Sequence, residues 1–131
     1  MKKDWSSAWK GSKLPRKQRK YVAKAPMHVQ RKFLAVHLSK DLRAKYSRRS
    51  VPVREGDKVK VLIGSHRGHV GKGERVDVKK TKVYVGGIEI TKKDGMKVVP
   101  PIAPSNLLIT ELRTGDKRRE SLLSRNMEQK K

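Results

Sequence analysis

From residue 51 onward the apolar positions alternate with polar ones. "KVKVLI" at 58–63 sets Val59, Val61 and Ile63 against Lys58 and Lys60. "RVDVK" at 75–79 sets out Val76 and Val78, "KVYV" at 82–85 Val83 and Val85, and "IEIT" at 88–91 Ile88 and Ile90. "MKVV" at 96–99 follows Asp94-Gly95, a strong tight-turn dipeptide, and "LLITEL" at 107–112 closes the series with Leu107 and Ile109 on one face. A period of two is the mark of a strand with one buried face, so the pattern predicts five or six short strands. Gly86-Gly87 predicts a bend or bulge between two of them. So small a sheet leaves two exposed edges unless it curls, which predicts a small barrel.

Upstream the period is four. Leu34, Leu38, Leu42 and Tyr46 recur with Met27 and Phe33 nearby, while Arg31, Lys32, Lys40, Arg43 and Lys45 fill other positions. One apolar and one basic face predict helix. Pro26 suits a first helical position and Ser39 an N-cap, so two short helices over 26–36 and 39–46 are expected. The basic face is a solvated surface, a set of phosphate contacts, or both. Residues 1–25 show no period. "LPRKQRKYVAKAP", 14–26, reads as an extended basic segment that orders on a partner, with a solvated tail as the alternative. Trp5 and Trp9 are spaced to share a helical face, for stacking or for a poorly ordered turn. Residues 116–131 read as a tail with a partly helical start. The chain therefore divides into a basic arm (1–25), a helical segment (26–50), a β barrel (51–113) and a basic C-terminal tail (114–131).

Charge identifies the class of partner. The 131 residues hold 35 Lys and Arg against 12 Asp and Glu, a net charge of +23. Residues 1–50 carry 16 basic and 2 acidic groups, so most of the excess lies in the first fifty residues. Such a chain repels itself and is built to work beside a polyanion, with nucleic acid the leading candidate. A membrane is the lesser one, since no apolar run approaches the ~18–20 residues of a spanning helix and nothing at the start resembles a secretory signal. Cysteine is absent, which removes disulfides and thiolate metal sites and fits a cytosolic location.

"VLIGSHRGHVGKGERVDV", 61–78, gathers Gly64, Gly68, Gly71 and Gly73 between two strand patterns. A phosphate-binding enzyme loop is excluded by spacing. Counting back from Gly71-Lys72, the first position is His66 rather than glycine, Gly73 offers no hydroxyl, and a strand follows rather than a helix. A dinucleotide fingerprint fails because its third glycine would fall on Val76. The stretch instead predicts a tight β corner that projects Ser65, His66, Arg67, His69 and Lys72 toward a phosphate backbone. No nucleophile–base or paired-carboxylate constellation appears, so the chain is not read as an enzyme. His28, His37, His66 and His69 lack the carboxylates of a metal site, and no metal or cofactor is expected. Asp57 and Asp77 are read as exposed strand positions that pair with neighbouring Lys or Arg, and Met27 and Met96 as core or filler.

"VREGDKVKVLIGSHRGHVGKGERVDV" resembles the KOW motif carried on an SH3-like barrel. With "PRKQRK", "HLSKDLRAKYSRRSVPV", "VYVGGIEITKKDG" and "PIAPSNLLITEL" in order, residues 14–113 are similar to the family of large-subunit ribosomal protein number twenty-four in its archaeal form, protein twenty-six of the eukaryotic large subunit. Two departures stand out. Gly73 occupies a position usually apolar in the motif, which implies a looser corner, and Ala103 replaces a frequent histidine.

The resemblance implies a mainly β fold, an SH3-like barrel with a basic N-terminal arm and short helices. It implies a structural, non-catalytic constituent of the large ribosomal subunit in the cytoplasm, bound early in assembly to the 5′ region of the large-subunit rRNA near the peptide exit tunnel. Its partners would be that RNA and neighbouring ribosomal proteins, with the chain monomeric in the particle and not inserted in a membrane. Carried over by motif position, RNA contacts fall on Arg16, Lys17, Arg19 and Lys20 of the arm and on Arg31, Lys32, Arg43, Lys45, Arg48 and Arg49 of the helical part. His66, Arg67, His69 and Lys72 follow from the loop and Ser105 and Asn106 from the last turn, while Gly68 and Gly71 set the corner. Few aromatics (one Phe, two Trp, three Tyr) favour backbone over base recognition. The alternative is a KOW interaction module of a transcription complex, for which a net charge of +23 and a long basic arm are unexpected.

Overall fold

The computed structural model describes residues 4–128. Parts of the predicted arm (1–3) and tail (129–131) lie outside the described residues. In chain order, a 3-10 turn at Ser7–Gly11 precedes helices α1 (Pro15–Ala23) and α2 (Met27–Phe33), strand β1 (Ala35–Leu38) and helix α3 (Lys40–Tyr46). Strands β2 (Ser50–Pro52), β3 (Lys58–Val61), β4 (Val70–Asp77) and β5 (Lys82–Val85) follow. Then come β6 (Ile90–Thr91), β7 (Lys97–Val98), a 3-10 turn at Pro104–Asn106, β8 (Leu107–Glu111) and helix α4 (Lys117–Glu128).

Six strands form one mixed sheet in the order β2-β1-β8-β3-β4-β5, and β6 and β7 form a separate hairpin. Every pairing in the large sheet is antiparallel except β1 with β8. Among the described residues the ladder is open, with β2 and β5 as its outer strands. The bridge from Val83 to Ile102 covers part of β5, with Val83 N–H donating to Ile102 O and the reverse, both at 2.9 Å. The sheet wraps one core that includes Val36, Leu38, Val51, Val59, Val61, Val83, Val85, Ile88, Leu107 and Ile109.

Alternation predicts most of this core. The inward residues of β3 and β5 are the expected Val59, Val61, Val83 and Val85. Three expectations about the ends fail. Ile63 and Ile90 are exposed because β3 stops at Val61 and β6 pairs only with β7, away from the core. Met27 and Met96 are exposed rather than packed. Gly73 does not loosen the corner. It lies buried inside β4, its N–H donating to Asp57 O and its carbonyl accepting from Gly56 N, both at 2.8 Å.

The four-residue period is shared by three elements rather than one face of helix. Leu34 caps α2, Leu38 lies in β1, and Leu42 and Tyr46 lie on α3. All four reach the same core, so burial, not helical continuity, sets their spacing. Ser39 caps α3 as expected, its hydroxyl accepting from Leu42 N at 3.4 Å. Pro26 is the cap of α2 rather than its first residue.

The N-terminal segment is not extended. Pro15 opens α1, and the Gln18 amide ties that helix back to the carbonyls of Lys10 (2.8 Å) and Ser12 (2.7 Å). Trp5 stacks on Tyr21, and Tyr21 meets Phe33 edge-on with centroids 5.8 Å apart. Aromatic contacts between segments, which leave no periodic trace, therefore fasten α1 to α2.

The C-terminal segment differs most. It is the helix α4, with Leu123 and Arg119 buried. Arg119 forms a bidentate pair with Asp57, both N···O distances 2.6 Å. Asp57 is wholly buried, not an exposed strand position, and its partner is far away in sequence. Its carboxylate also accepts from Arg54 N at 2.9 Å and Arg113 N at 2.8 Å, so each oxygen has one backbone and one guanidinium donor. Full hydrogen bonding is the condition under which a buried charge is tolerated.

Candidate nucleic-acid interface

On α1, Gln18 and Tyr21 face the molecule through the contacts just described. A turn of about 100° per residue puts Arg16, Arg19 and Lys20 on the opposite side, with Lys17 on the flank next to Tyr21. All four are exposed, and the helix has no acid in its first turn. Arg16 stands three and four residues from Arg19 and Lys20, spacings at which like charges repel by about 0.2–0.5 kcal/mol each. Phosphates laid along this face would remove that repulsion. Arg31 and Lys32 continue the exposed basic surface in the last turn of α2.

The residues after α2 are less uniform. Arg43 is half-buried and its Nε–H donates to Leu38 O at 2.8 Å, which fixes α3 against the end of β1. Lys45 lies over the Tyr46 ring at 5.3 Å. Arg48 is half-buried, and its Nε is enclosed without an acceptor among the described residues. Arg49 is exposed. Lys45 and Arg49 are thus free to meet a phosphate, while Arg43 and Arg48 are partly committed to the fold.

The glycine stretch is a shorter corner than its spacing suggests. The loop proper runs from 62 to 69, and Gly71 and Gly73 are strand residues. Gly64 (φ 105°) and Gly68 (φ 88°) take left-handed conformations that a side chain strains. Gly68 N–H donates to Val61 O at 2.8 Å, and Arg67 N–H to Gly64 O at 3.1 Å. Gly71 serves a different purpose. A Cβ there would run into the Gly86 carbonyl oxygen and lie 2.8 Å from Val85 Cγ1. Its role is the close approach of β4 to the end of β5.

His69 belongs to the same packing. Its Nε2–H donates to Gly86 O at 3.0 Å, and the ring lies against Gly87. His66 is half-buried, and Arg67 and Lys72 are exposed. The Pro104–Asn106 turn joins this corner, because Leu62 N–H donates to Asn106 O at 2.8 Å. Ser105 is exposed beside the buried Pro104. Three segments, 62–69, 86–87 and 104–106, are thereby locked together, with Arg67 and Ser105 left on the surface. Lys72 lies across from Lys58 in the β3–β4 register, and Lys58 is neutralised by Glu111 at 2.8 Å.

The acids sit elsewhere. The ion pairs among the described residues are Asp4–Lys24, Arg54–Asp116, Lys58–Glu111, Glu89–Lys97 and Asp57–Arg119. None uses a candidate lysine or arginine of α1, α2, α3 or the corner. Among the described residues no three His, Asp or Glu gather as metal ligands, and no helix is long and apolar enough to cross a membrane. The sequence reading missed the Asp57–Arg119 pair and the cleft beside it. Neither has a short-range signal.

Residues 12–126 match a family model whose description covers eukaryotic ribosomal protein L26 and its archaeal counterpart. The chain is 47% identical over 116 residues to the large ribosomal subunit protein uL24 of Methanosphaera stadtmanae, covering 88% of this chain and 99% of that one. It is 46% identical over 113 residues to the large ribosomal subunit protein uL24 of Methanospirillum hungatei JF-1, covering 86% and 94%.

Proposed function

The chain belongs to the ribosomal protein family that unites eukaryotic L26 with its archaeal counterpart, and from that premise we propose that it is a structural constituent of the large ribosomal subunit in the cytoplasm. It binds the large-subunit rRNA in its 5′ region through phosphate contacts, early in assembly and near the peptide exit tunnel. Neighbouring ribosomal proteins complete its surroundings, and the chain itself does no covalent chemistry. The curled sheet is read as an open form of the SH3-like barrel, a rigid wedge behind a basic N-terminal part. The observation that carries the reading is the set of exposed cations on α1, α2 and the 62–69 corner, which no acid of the described residues neutralises.

The mechanism is electrostatic and geometric. Each phosphate neutralised by Lys or Arg releases counterion, so affinity falls steeply with salt. An A-form duplex hides its base edges in a deep major groove, which favours reading of shape and backbone. Arg16, Lys17, Arg19, Lys20, Arg31, Lys32, Lys45, Arg49, Arg67 and Lys72 supply the phosphate contacts, with Ser105 as a neutral donor. Arg43, Arg48, His66, His69 and Asn106 hold the surface that presents them.

Sucrose-gradient fractionation of a lysate with a blot for this chain tests the reading. Co-migration with the large subunit through a moderate-salt wash is expected. Migration as free protein, or with RNA polymerase, would overturn it.

A further inference from the structure

A cleft of about 760 Å³ opens beside the sheet, between the end of α2, strand β4 and the segment that leads into α4. Its apolar side includes Leu34, Val53, Val76 and Val78. Arg31, Arg54, Arg113 and Arg119 also line it. Arg54 is paired with Asp116 and Arg119 with Asp57. Arg31 and Arg113 make no ion pair among the described residues. The Arg119 Nε is buried without an acceptor among the described residues. Of the two acids on the rim, Asp116 is occupied by Arg54, and Glu55 accepts from Val76 N at 3.5 Å.

We propose that this cleft receives a single unpaired nucleotide of RNA, its base against the valines and its phosphate on Arg31 and Arg113. The inference rests on the rRNA-binding reading and sharpens it, because it adds one base-holding site to a surface otherwise suited to backbone. The volume falls in the range of small-ligand sites, which are apolar with a few placed polar groups. Among the described residues no aromatic side chain lines the cleft. The flat face of the base therefore packs on valine methyls, with the lining guanidinium groups at its edge as hydrogen-bond donors. Arg31 lies beside the exposed Lys32 in the last turn of α2, so a strand following that helix passes the mouth of the cleft. The wall is preformed. Asp57 accepts from Arg113 N and from Arg119, which pins both ends of the 113–119 segment. A site ordered before binding loses less entropy on binding.

The test uses the full chain and a transcript of the 5′ region of the large-subunit rRNA. The complex is irradiated at short wavelength, and crosslinked peptides are identified by mass spectrometry. A base joined to a peptide containing residues 76–78 or 113–116 is expected. In parallel, Val78→Trp fills the cleft. With its circular dichroism unchanged, it is expected to weaken binding by roughly tenfold, the scale of one lost base contact. Crosslinks confined to α1 and the 62–69 corner, with the folded Val78→Trp chain binding like wild type, would overturn the cleft and leave the rRNA reading intact. Failure of the wild-type chain to bind the transcript would overturn both. In purified large subunits, a crosslink from this cleft to a neighbouring protein would replace the nucleotide with an acidic peptide and overturn the proposal.

Discussion

Replacing Arg119 with methionine keeps most of the side-chain volume and deletes the guanidinium. Asp57, wholly buried, would then hold its charge with two backbone N–H donors and no cation. Removing one partner of a buried ion pair typically destabilises by about 3–5 kcal/mol, because the other charge is left without compensation. That is a large share of the ~5–15 kcal/mol by which such domains are stable. Equilibrium unfolding in urea should show the midpoint falling by roughly 2 M at a slope near 2 kcal/mol per M. Asp57→Ala combined with Arg119→Met removes both charges and should recover part of the loss. The recovery stays incomplete because the N–H groups of Arg54 and Arg113 lose their acceptor, at about 1–3 kcal/mol for each one left buried. Lys58→Met is the control. The Lys58–Glu111 pair is half-exposed, and exposed pairs contribute about 0–1 kcal/mol. If Arg119→Met moved stability no more than Lys58→Met does, α4 would not be seated through Asp57 and the account of the C-terminal helix would be wrong.

Gly71→Ala forces β4 away from the Gly86 carbonyl and should lower stability by about 1–3 kcal/mol, whereas Gly68→Ala meets open space and strains only a left-handed backbone, at about 1–2 kcal/mol; thermal melts would order the two. His69→Ala should cost about 1 kcal/mol for the bond to Gly86 with RNA affinity little changed, while Arg67→Ala should lower affinity without moving the melting temperature. A filter-binding salt titration should lose about 0.7–0.9 of slope for each of Arg16→Gln and Lys20→Gln. An unchanged slope would remove α1 from the interface.

How much of this was legible depends on the range of the interaction that makes each element. Alternation at Val59, Val61, Val83 and Val85 is a property of neighbours, and it located β3, β5 and much of the core. Ser39 before "KDL" located a helix start for the same reason. The leucine period from 34 to 46 misled because strand β1 and two flanking helix turns bury their residues at similar spacing. The glycines were read as one corner, but only Gly64 and Gly68 turn the chain. Gly71 is required by the Gly86 carbonyl and Val85 that pack against it, whereas a Cβ at Gly73 would meet only ordinary contacts from the Arg54–Asp57 turn; neither neighbour is near in sequence.

The sign and placement of charge and the strands after residue 57 could be read from the residues in order, since these are sums or local repeats. Motif order carried the family. Packing settled the rest. It made α1 a helix fixed by Trp5, Tyr21 and Phe33. It turned His69 into a packing group while leaving Arg67 free. It brought Asp57 and Arg119 together inside the molecule. Each of these depends on a contact between residues far apart in sequence, and burial changes what such a residue does. A carboxylate that would be an ordinary surface group in water becomes, once enclosed, the anchor of a helix.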